Sequence, residues 1–318
     1  MKTSNFWLSK EVMLAAAFTV LITVPFVVFG GNKVIYVDKD NSGTEDGSNS
    51  HPYRTISRAL KHADGGTEVR IKSGTYKENI TIPKDVKVLS NSEDADKVTI
   101  KGDNGDLPVV IMKDDAKLSY VTIKNGFHGV RINEDANAHL FKVEIKNNKR
   151  DGIHIDKAPT KKKFRVMLDK VKISNNGRAG IFSEKRFIVI VNSDITSNRS
   201  DGIDLAAGTE AWLENNRFND NKGSGAKLIM DGAEIWTKKN SFRNNSREGV
   251  EISSFGLDGK IGFKKASFVG NHRYGITKLA RTGQGLKGFS GLFLGEGVNI
   301  DRFEKNLAGN ISAILRGF

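Results

Sequence analysis

The sequence predicts an all-β solenoid, in which short parallel strands stack turn upon turn around one apolar core. Three observations support this prediction: a repeat of 22 to 28 residues, strands with period-two alternation, and a composition rich in glycine but poor in proline. The chain has 318 residues, of which 33 are glycine and 5 are proline. A fold with many tight corners favours glycine, and strands that pair on both sides exclude proline.

One pattern recurs seven times: an apolar strand end, an asparagine turn, and then glycine, an apolar residue, any residue and, in five of the seven, a second apolar residue. The marker glycines are Gly129, Gly152, Gly180, Gly202, Gly225, Gly249 and Gly275. An asparagine stands four residues before each, at Asn125, Asn148, Asn176, Asn198, Asn221, Asn245 and Asn271. One such turn cannot bury its apolar face alone, so we expect the turns to stack. The asparagines should then form a hydrogen-bonded ladder.

The two ends of the repeat array differ from its middle. Residues 53–66 predict a short amphipathic helix that begins at Thr55 and caps the solenoid. Beyond Ile276 the pattern decays, and a last asparagine-containing segment is interpreted as a final coil or a cap. The sequence therefore divides into an N-terminal segment (1–31), a strand, loop and capping helix (32–67), the solenoid (68–279) and a glycine-rich C-terminal segment with a cap (280–318).

Residues 12–29 form an uninterrupted apolar run that follows Lys2 and Lys10. As a helix this run would be about 27 Å long, enough to cross the hydrocarbon core of a bilayer. It is interpreted as an uncleaved transmembrane anchor, with a cleaved signal peptide as the alternative. We therefore expect a single-pass protein of the cell membrane with its solenoid outside the cytoplasm, or a secreted protein if the segment is removed.

Residues 35–82 carry a set of short motifs: YVD, DGS, Pro52 followed by TI and AL, and GTYKENI. This segment is similar to the opening of pectin-lyase-like right-handed β-helix proteins, and the repeats to residue 277 resemble the parallel β-helix repeat of the same superfamily. The resemblance implies a right-handed parallel β-helix. Members include pectate lyases, polygalacturonases, alginate epimerases and surface proteins without known activity, so the fold does not fix the function.

In the repeated pattern, the residue between the two apolar positions and the residue before glycine are predicted to face solvent. These positions hold His128 and Arg131, Asp151 and His154, Phe182, Asp201 and Asp204, Lys227, Glu248 and Glu251, and Tyr274. We expect them to form one column along the stack, suited to a chain substrate. The net charge of +13 favours an acidic polysaccharide or a cell-envelope glycan as the partner.

Within this column, the sequence SDGIDL at 200–205 resembles the NTDGID strand of polygalacturonases, which implies a catalytic role for Asp201 with Asp204 nearby. The alternative is that Asp201 only starts a turn. His154 and Asp151 are predicted as a second catalytic pair, since histidine can abstract a sugar-ring proton or bind a metal. The substrate-binding residues are predicted to be Arg131, His128, Lys227 and Glu251.

Asp38 and Asp40 belong to a run at 38–47 that partly resembles a calcium loop. They are the predicted metal ligands, with calcium as the cofactor, and a structural turn is the alternative reading of the same run. The other motifs of the superfamily's enzymes are missing: the paired-aspartate, Gly-His-Gly and Arg-Ile-Lys motifs of polygalacturonases, and the Asp-Pro-His-Asp motif of alginate epimerases.

The sequence therefore predicts an extracytoplasmic, membrane-tethered β-helix protein that binds or processes an acidic polysaccharide. If it is an enzyme, it is a polysaccharide lyase, a glycoside hydrolase or an epimerase. The alternative is a non-catalytic surface scaffold for envelope structure or adhesion. Nucleic acid is not an expected partner, because the basic residues lack interleaved aromatic residues.

Overall fold

The computed structural model describes residues 33–158, 164–255, 259–279, 291–297 and 300–312. The predicted membrane segment at 12–29 and residues 280–290 of the glycine-rich segment lie outside these ranges. Among the described residues, no helix is both long and apolar enough to cross a bilayer. From Val34 onward the chain forms one compact unit, which is a right-handed parallel β-solenoid.

Three parallel sheets run the length of the solenoid, and successive strands of the chain visit them in turn. The first sheet consists of β1 (Val34–Val37), β2 (Glu68–Ile71), β5 (Lys87–Ser90), β8 (Ala116–Ser119), β11 (Ala138–Phe141), β14 (Arg165–Asp169), β17 (Phe187–Val191), β20 (Glu210–Glu214), β23 (Glu234–Lys238), β26 (Lys260–Lys264) and β29 (Leu292–Phe293).

The second sheet consists of β3 (Gly74–Lys77), β6 (Val98–Lys101), β9 (Thr122–Lys124), β12 (Glu144–Lys146), β15 (Lys172–Ser174), β18 (Asp194–Thr196), β21 (Arg217–Asn219), β24 (Ser241–Arg243), β27 (Ser267–Val269) and β30 (Arg302–Glu304). The third sheet consists of β4 (Ile80–Ile82), β7 (Val110–Met112), β10 (Val130–Ile132), β13 (Ile153–Ile155), β16 (Ile181–Ser183), β19 (Ile203–Leu205), β22 (Ala226–Ile229), β25 (Val250–Ser253), β28 (Tyr274–Leu279) and β31 (Gly309–Ile311).

Stacked apolar columns form the core, as the period-two alternation predicts. In the second sheet, an inward column of isoleucines gives way to phenylalanines toward the C-terminal end. Its members are Ile100, Ile123, Ile145, Ile173, Ile195, Phe218, Phe242, Phe268 and Phe303. The four aromatic rings stack with centroids 4.6 to 5.2 Å apart. Burial of each of these side chains stabilises the fold by about 1.5–3 kcal/mol.

Left-handed backbone turns the chain between the first and second sheets. One residue at each of these corners has φ between 50° and 57°: Tyr120, Lys142, Lys170, Asn192, Asn215, Lys239 and Lys265. A second corner follows the second sheet, where the residue before the ladder position has the same conformation, for example Asn147 with φ of 57°. Asparagine tolerates this conformation because its short polar side chain bonds locally.

The asparagine ladder forms as predicted from Asn148 onward and continues one turn further than expected. Each side-chain amide donates from Nδ2 to Oδ1 of the next asparagine at 2.8 to 3.2 Å, through Asn148, Asn176, Asn198, Asn221, Asn245, Asn271 and Asn306. Asn125 is not a member, which corrects the prediction. Because Lys124 pairs with Lys146, Gly126 stands opposite Asn148, and the backbone N–H of Gly126 donates to Asn148 Oδ1 at 2.9 Å.

The ladder also explains the marker glycines, which were attributed to sharp corners. A Cβ atom at Gly152 would lie 2.7 Å from the carbonyl oxygen of Gly180 and 2.9 Å from Nδ2 of Asn176. Gly225 meets the equivalent atoms of Gly249 and Asn245 at 2.7 and 2.8 Å. Neither glycine has positive φ. They are required because the backbone of the next turn and the ladder amide both lie too close for any side chain.

The short helix α1 (Ile56–Lys61) lies at the start of the solenoid and packs against β1, β2 and β4. Its predicted start is confirmed: Thr55 is the N-cap, and its hydroxyl oxygen accepts a hydrogen bond from the N–H of Arg58 at 3.2 Å. Ile56, Ala59 and Leu60 are buried, as the amphipathic pattern requires. At the other end, β29, β30 and β31 carry the three sheets past residue 279, so the last asparagine-containing segment forms a further coil.

Candidate functional site

The middle residues of the third-sheet strands form one outward row. The strands pair in register, so this row runs Ile111, Arg131, His154, Phe182, Asp204, Lys227, Glu251 and Thr277. A second row beside it consists of the residues before the marker glycines, which are His128, Asp151, Ala179, Asp201, Ser224, Glu248 and Tyr274. The predicted alignment of these side chains along the stack is therefore confirmed.

The prediction that all of these side chains face solvent is wrong. Six of them are between 2% and 8% exposed: His128, Asp151, Asp201, Asp204, Glu248 and Glu251. They point away from the core, but neighbouring turns stand only about 4.8 Å apart, so each side chain covers the next. Arginines from the turns add further cover, as where Arg247 and Arg273 contact Glu248. Arg131, His154 and Lys227 remain accessible, with side chains 47%, 28% and 29% exposed.

The two rows bring three residues together that we call the histidine cluster: His128, Asp151 and His154. Nδ1 of His154 lies 3.1 Å from Oδ2 of Asp151, and Nδ1 of His128 lies 3.4 Å from the same oxygen. The two imidazole centroids are 4.5 Å apart. The other carboxylate oxygen of Asp151 accepts the backbone N–H of Ala179 at 3.2 Å, which fixes the carboxylate between the two rings.

An arginine and an aromatic ring flank the accessible face of His154. Phe182, in the next turn, stacks on the His154 imidazole with centroids 5.0 Å apart. On the other side, Arg131 donates from Nε to both oxygens of Asp156 at 2.9 and 3.1 Å. Nε2 of His154 lies 3.6 Å from the same carboxylate. A cleft of about 620 Å³ opens beside Arg131 and Asp156. It is lined by Arg131, Asn133, Glu134, Asp156, Lys157 and Ala158.

His128 differs from a free histidine in its protonation. Burial, reinforced by the neighbouring His154, lowers the pKa of His128 to about 4 although Asp151 acts in the opposite direction. His128 is therefore neutral at pH 7, and its ring carries a free lone pair. A neutral ring beside a carboxylate-bound histidine is an arrangement that accepts protons or binds cations.

Further along the same rows lie four acids that we call the acidic cluster: Asp201, Asp204, Glu248 and Glu251. Asp204 bonds to Nζ of Lys227 at 3.0 Å. Glu251 accepts from the hydroxyl of Ser224 at 3.2 Å and pairs with Arg247 at 3.2 Å. Burial raises the pKa of Asp204 and the pKa of Glu251, while Lys227 and Arg247 respectively oppose the shift.

Asp201, which the polygalacturonase resemblance implied as catalytic, is engaged by the backbone. Its Oδ1 accepts the N–H of Ser224 at 2.7 Å, and its Oδ2 accepts the hydroxyl of Ser200 at 3.2 Å. Asp151 makes the equivalent bond to Ala179. Both aspartates therefore anchor the following turn, which is the structural alternative that the sequence left open.

The predicted metal ligands in the opening loop are paired with lysines. Asp38 lies 3.3 Å from Nζ of Lys72 and accepts the N–H of Asp40 at 3.0 Å. Asp40 accepts Nζ of Lys39 at 2.7 Å. Within the described ranges, the histidine cluster is the one group of three histidine, aspartate or glutamate side chains close enough to share a metal ion. Asp38 and Asp40 are not part of it. Calcium at these two residues stays a prediction.

Arg186 is a site-supporting residue that the sequence did not reveal. It is 2% exposed, and its guanidinium donates from Nη1 to the carbonyl oxygens of Asn133, Glu134 and Asp156 at 2.9 to 3.1 Å. It also donates from Nη2 to the carbonyl of Ala136. These carbonyls belong to the chain that follows Arg131 and His154, so Arg186 holds the floor of the cleft. A buried arginine beside a first-sheet strand is visible in sequence only as one more basic residue.

Comparison with known proteins supports the fold by sequence and by structure. Residues 128–284 match the family model described as a right handed beta helix region. The structure is similar to the pectate lyase Pel9A, with a TM-score of 0.53 and 13% identity over 90% of this chain and 78% of that one. It is also similar to the A-module of the mannuronan C-5 epimerase AlgE4 from Azotobacter vinelandii, with a TM-score of 0.50 and 13% identity over 87% and 97% of the two chains.

A third similar structure is an alginate lyase from Paenibacillus sp. str. FPU-7, with a TM-score of 0.58 and 13% identity over 80% of this chain and 96% of that one. No curated protein matches the sequence. At these identities the similarity concerns the fold. The family match, the similar structures and the three continuous sheets together show that this chain has the right-handed parallel β-helix fold.

Proposed function

We propose that the outer face of the third sheet binds an acidic polysaccharide and that the histidine cluster processes it. The observation that carries the proposal is the His154–Asp151 pair, which reaches solvent through His154 between an arginine and an aromatic ring. The similar structures include proteins named for their action on pectate, mannuronan and alginate. A parallel β-helix with a basic net charge is a suitable scaffold for such polymers.

The chemistry follows from the orientation of His154. Its Nδ1–H donates to Asp151, which leaves the lone pair of Nε2 free to accept a proton. In a uronate, the proton on C5 is acidic because it lies next to the carboxylate carbon. Arg131 lies on the adjacent strand and would neutralise the substrate carboxylate as charge moves onto it, exchanging its bond with Asp156 for one with the sugar.

Two reactions can follow abstraction of the C5 proton. If the electron pair from C5 expels the glycosidic oxygen at C4, that oxygen takes up a proton from water, a double bond forms between C4 and C5, and the chain is cut, as in a lyase. If a proton returns to the opposite face of C5, the chain stays intact and the sugar is epimerised. Phe182 gives the neighbouring sugar ring an apolar surface in either case.

A glycoside hydrolase acting through the acidic cluster is the second candidate. The raised pKa of Asp204 favours it, since a protonated carboxyl group can donate to a glycosidic oxygen. Against it, Asp204 is bonded to Lys227 and only 8% exposed. Asp201 cannot act freely as its partner, because both its oxygens are engaged. We therefore favour the histidine cluster.

We also propose that residues 12–29 tether the protein to a membrane, with the solenoid outside the cytoplasm. The support is the length and apolarity of this run and the two lysines before it. Protease treatment of intact cells tests the orientation: digestion of the solenoid without lysis supports it, and protection until lysis contradicts it.

The functional test uses the purified full-length protein in mild detergent, incubated with polygalacturonate, alginate or mannuronan, and with neutral dextran as a control. Size-exclusion chromatography reports chain cleavage, and ultraviolet absorbance of the products separates a lyase from a hydrolase. Uptake of solvent deuterium at C5 reports epimerisation. Co-elution with a polymer that is neither cut nor labelled would support a non-catalytic scaffold, and failure to bind any acidic polymer would reject the proposal.

A further inference from the structure

The histidine cluster has the spacing of a metal site. Nδ1 of His154 and Nδ1 of His128 lie 3.1 and 3.4 Å from the same oxygen of Asp151, and one ligand atom from each residue falls within 4.8 Å of the others. Imidazole nitrogen and carboxylate oxygen bind Zn²⁺ at about 2.0–2.2 Å, so two ligands of a tetrahedral ion stand about 3.4 Å apart. An ion drawn between these atoms would need little movement of the side chains.

One of the three groups is left without a hydrogen bond. Nδ1 of His128 is buried, and within the part of the chain that the structure describes it has no hydrogen-bond partner. The residue as a whole is 8% exposed. A buried polar atom without a partner is costly, and this one points at the carboxylate that His154 also contacts.

The atoms around the cluster would hold it in a ligating geometry. Asp151 is fixed by the N–H of Ala179 through Oδ1, which leaves Oδ2 for a metal. The His154 ring is held by Phe182, and its Nε2 lies 3.6 Å from the Asp156 carboxylate. A carboxylate behind a ligating imidazole orients the ring and strengthens its binding. Solvent reaches the cluster through the exposed part of His154, so an ion has an entry path.

We infer that His128, Asp151 and His154 form a binding site for a divalent transition-metal ion. Two imidazoles and one carboxylate select Zn²⁺, Co²⁺ or Ni²⁺ over Ca²⁺ and Mg²⁺, which prefer oxygen ligands. Three protein ligands leave one position of a tetrahedral ion open to water or to a substrate oxygen.

Occupation of this site has a consequence that rests on the proposed function. A metal ion on Nδ1 of His154 takes the lone pair of that atom, and the ring proton then resides on Nε2. The atom that would accept the C5 proton becomes an N–H donor. The metal-bound protein therefore loses its proton acceptor while Arg131 and Phe182 remain in place, so the metal inhibits turnover but not polysaccharide binding.

The site is tested directly on the full-length protein after removal of metals with a chelator. Zn²⁺ is titrated by calorimetry, and Co²⁺ is titrated by visible absorption, since a tetrahedral site intensifies the cobalt bands. We expect one equivalent to bind to the wild type. His154→Gln should weaken binding by more than about tenfold, and the control His51→Gln, which removes an exposed histidine beside Asp46, should leave it unchanged.

His154 is partly exposed, so we expect its replacement to leave the chain folded, unlike loss of the buried Asp151, and melting curves verify this. Absence of saturable binding, or equal affinity in His154→Gln, would overturn the inference. The metal titrations need no turnover, so a protein that binds cobalt but acts on no polysaccharide would refute the proposed function and uphold the site. Stoichiometric binding that leaves turnover unchanged would refute the inhibition.

Discussion

The two clusters on the outer face of the third sheet occupy equivalent positions of the same repeat, yet their bonding differs. In the acidic cluster, Asp204 is paired with Lys227, and Glu251 is paired with Arg247 and Ser224. In the histidine cluster, a buried nitrogen of His128 has no hydrogen-bond partner among the described residues, and His154 reaches solvent. The difference teaches that equivalent positions of one repeat can hold either buried acids paired with basic side chains or a partly exposed histidine, and that exposure rather than charge separates the two clusters.

The largest expected effect separates the clusters by activity. His154→Ala should reduce turnover of the responsive polysaccharide by about 10²–10⁴-fold, because the reaction loses its proton acceptor. Lys227→Met, three turns further along the same row and similarly exposed, is the matched control and should cost less than about tenfold. Steady-state kinetics decides the comparison, and a larger loss in Lys227→Met than in His154→Ala would place the chemistry in the acidic cluster.

The second-largest expected effect is on stability and concerns Arg186, which supports the cleft beside the histidine cluster. Arg186→Leu should lower the free energy of unfolding by about 3 kcal/mol, because one buried and three partly buried carbonyls lose a charged donor. Arg165→Leu, at an exposed position of β14, is the control and should change it by less than about 0.5 kcal/mol. Chemical denaturation measures both. Similar free energies of unfolding for the two variants would show that Arg186 does not stabilise the chain segments that form the floor of the cleft.

A smaller effect tests whether Asp201 is structural. Asp201→Ala should destabilise the protein by about 1–3 kcal/mol, since the N–H of Ser224 is left buried without its acceptor. Turnover of the folded fraction should stay within a few-fold of the wild type. Denaturation curves and kinetics are measured on the same preparation, and a large loss of turnover in a stable variant would restore the catalytic role that the polygalacturonase resemblance implied.

The smallest effect is a pH dependence in the acidic cluster. Burial raises the pKa of Glu251, with Arg247 opposing and Glu248 and Asp201 reinforcing the shift. The folded state holds the proton more tightly than the unfolded chain, so this group stabilises the fold below its ordinary pKa of 4.5 and that stabilisation is lost as the pH rises through the folded pKa. The melting temperature of the wild type relative to Glu251→Gln should therefore fall between pH 4 and pH 7. A rising difference would contradict the assigned direction.

The fold could be predicted from the sequence because several independent features require the same repeat length. Stacking, the ladder and the apolar columns each require the same spacing, and the start of α1 at Thr55 follows from a local capping rule. Asn125 was misassigned because the loop from Gly126 to Gly129 is one residue shorter than the loop from Asn148 to Gly152. A count of residues back from the marker glycine cannot show that the loop between the ladder position and that glycine is one residue shorter in this turn.

The site was only partly predictable. The alignment of His128, Asp151 and His154 follows from the register, and all three were singled out from sequence. Their burial was not predictable, because it depends on which long side chains of neighbouring turns lie over them. The role of Arg186 was hidden for the same reason, since its partners lie 30 to 53 residues earlier in the chain.

The ladder that joins Asn148 to Asn306 does not depend on how many turns it contains, since each amide needs only the next one. Each turn therefore adds a constant rise of about 4.8 Å along the axis of the solenoid. Inserting one whole repeat between Phe182 and Asp204 would move the two clusters apart by one turn and leave Ala179 and Phe182 in contact with the histidine cluster. The number of turns between the clusters, rather than any single residue, sets their separation, and under the proposed function it sets the length of polysaccharide that would touch both at once.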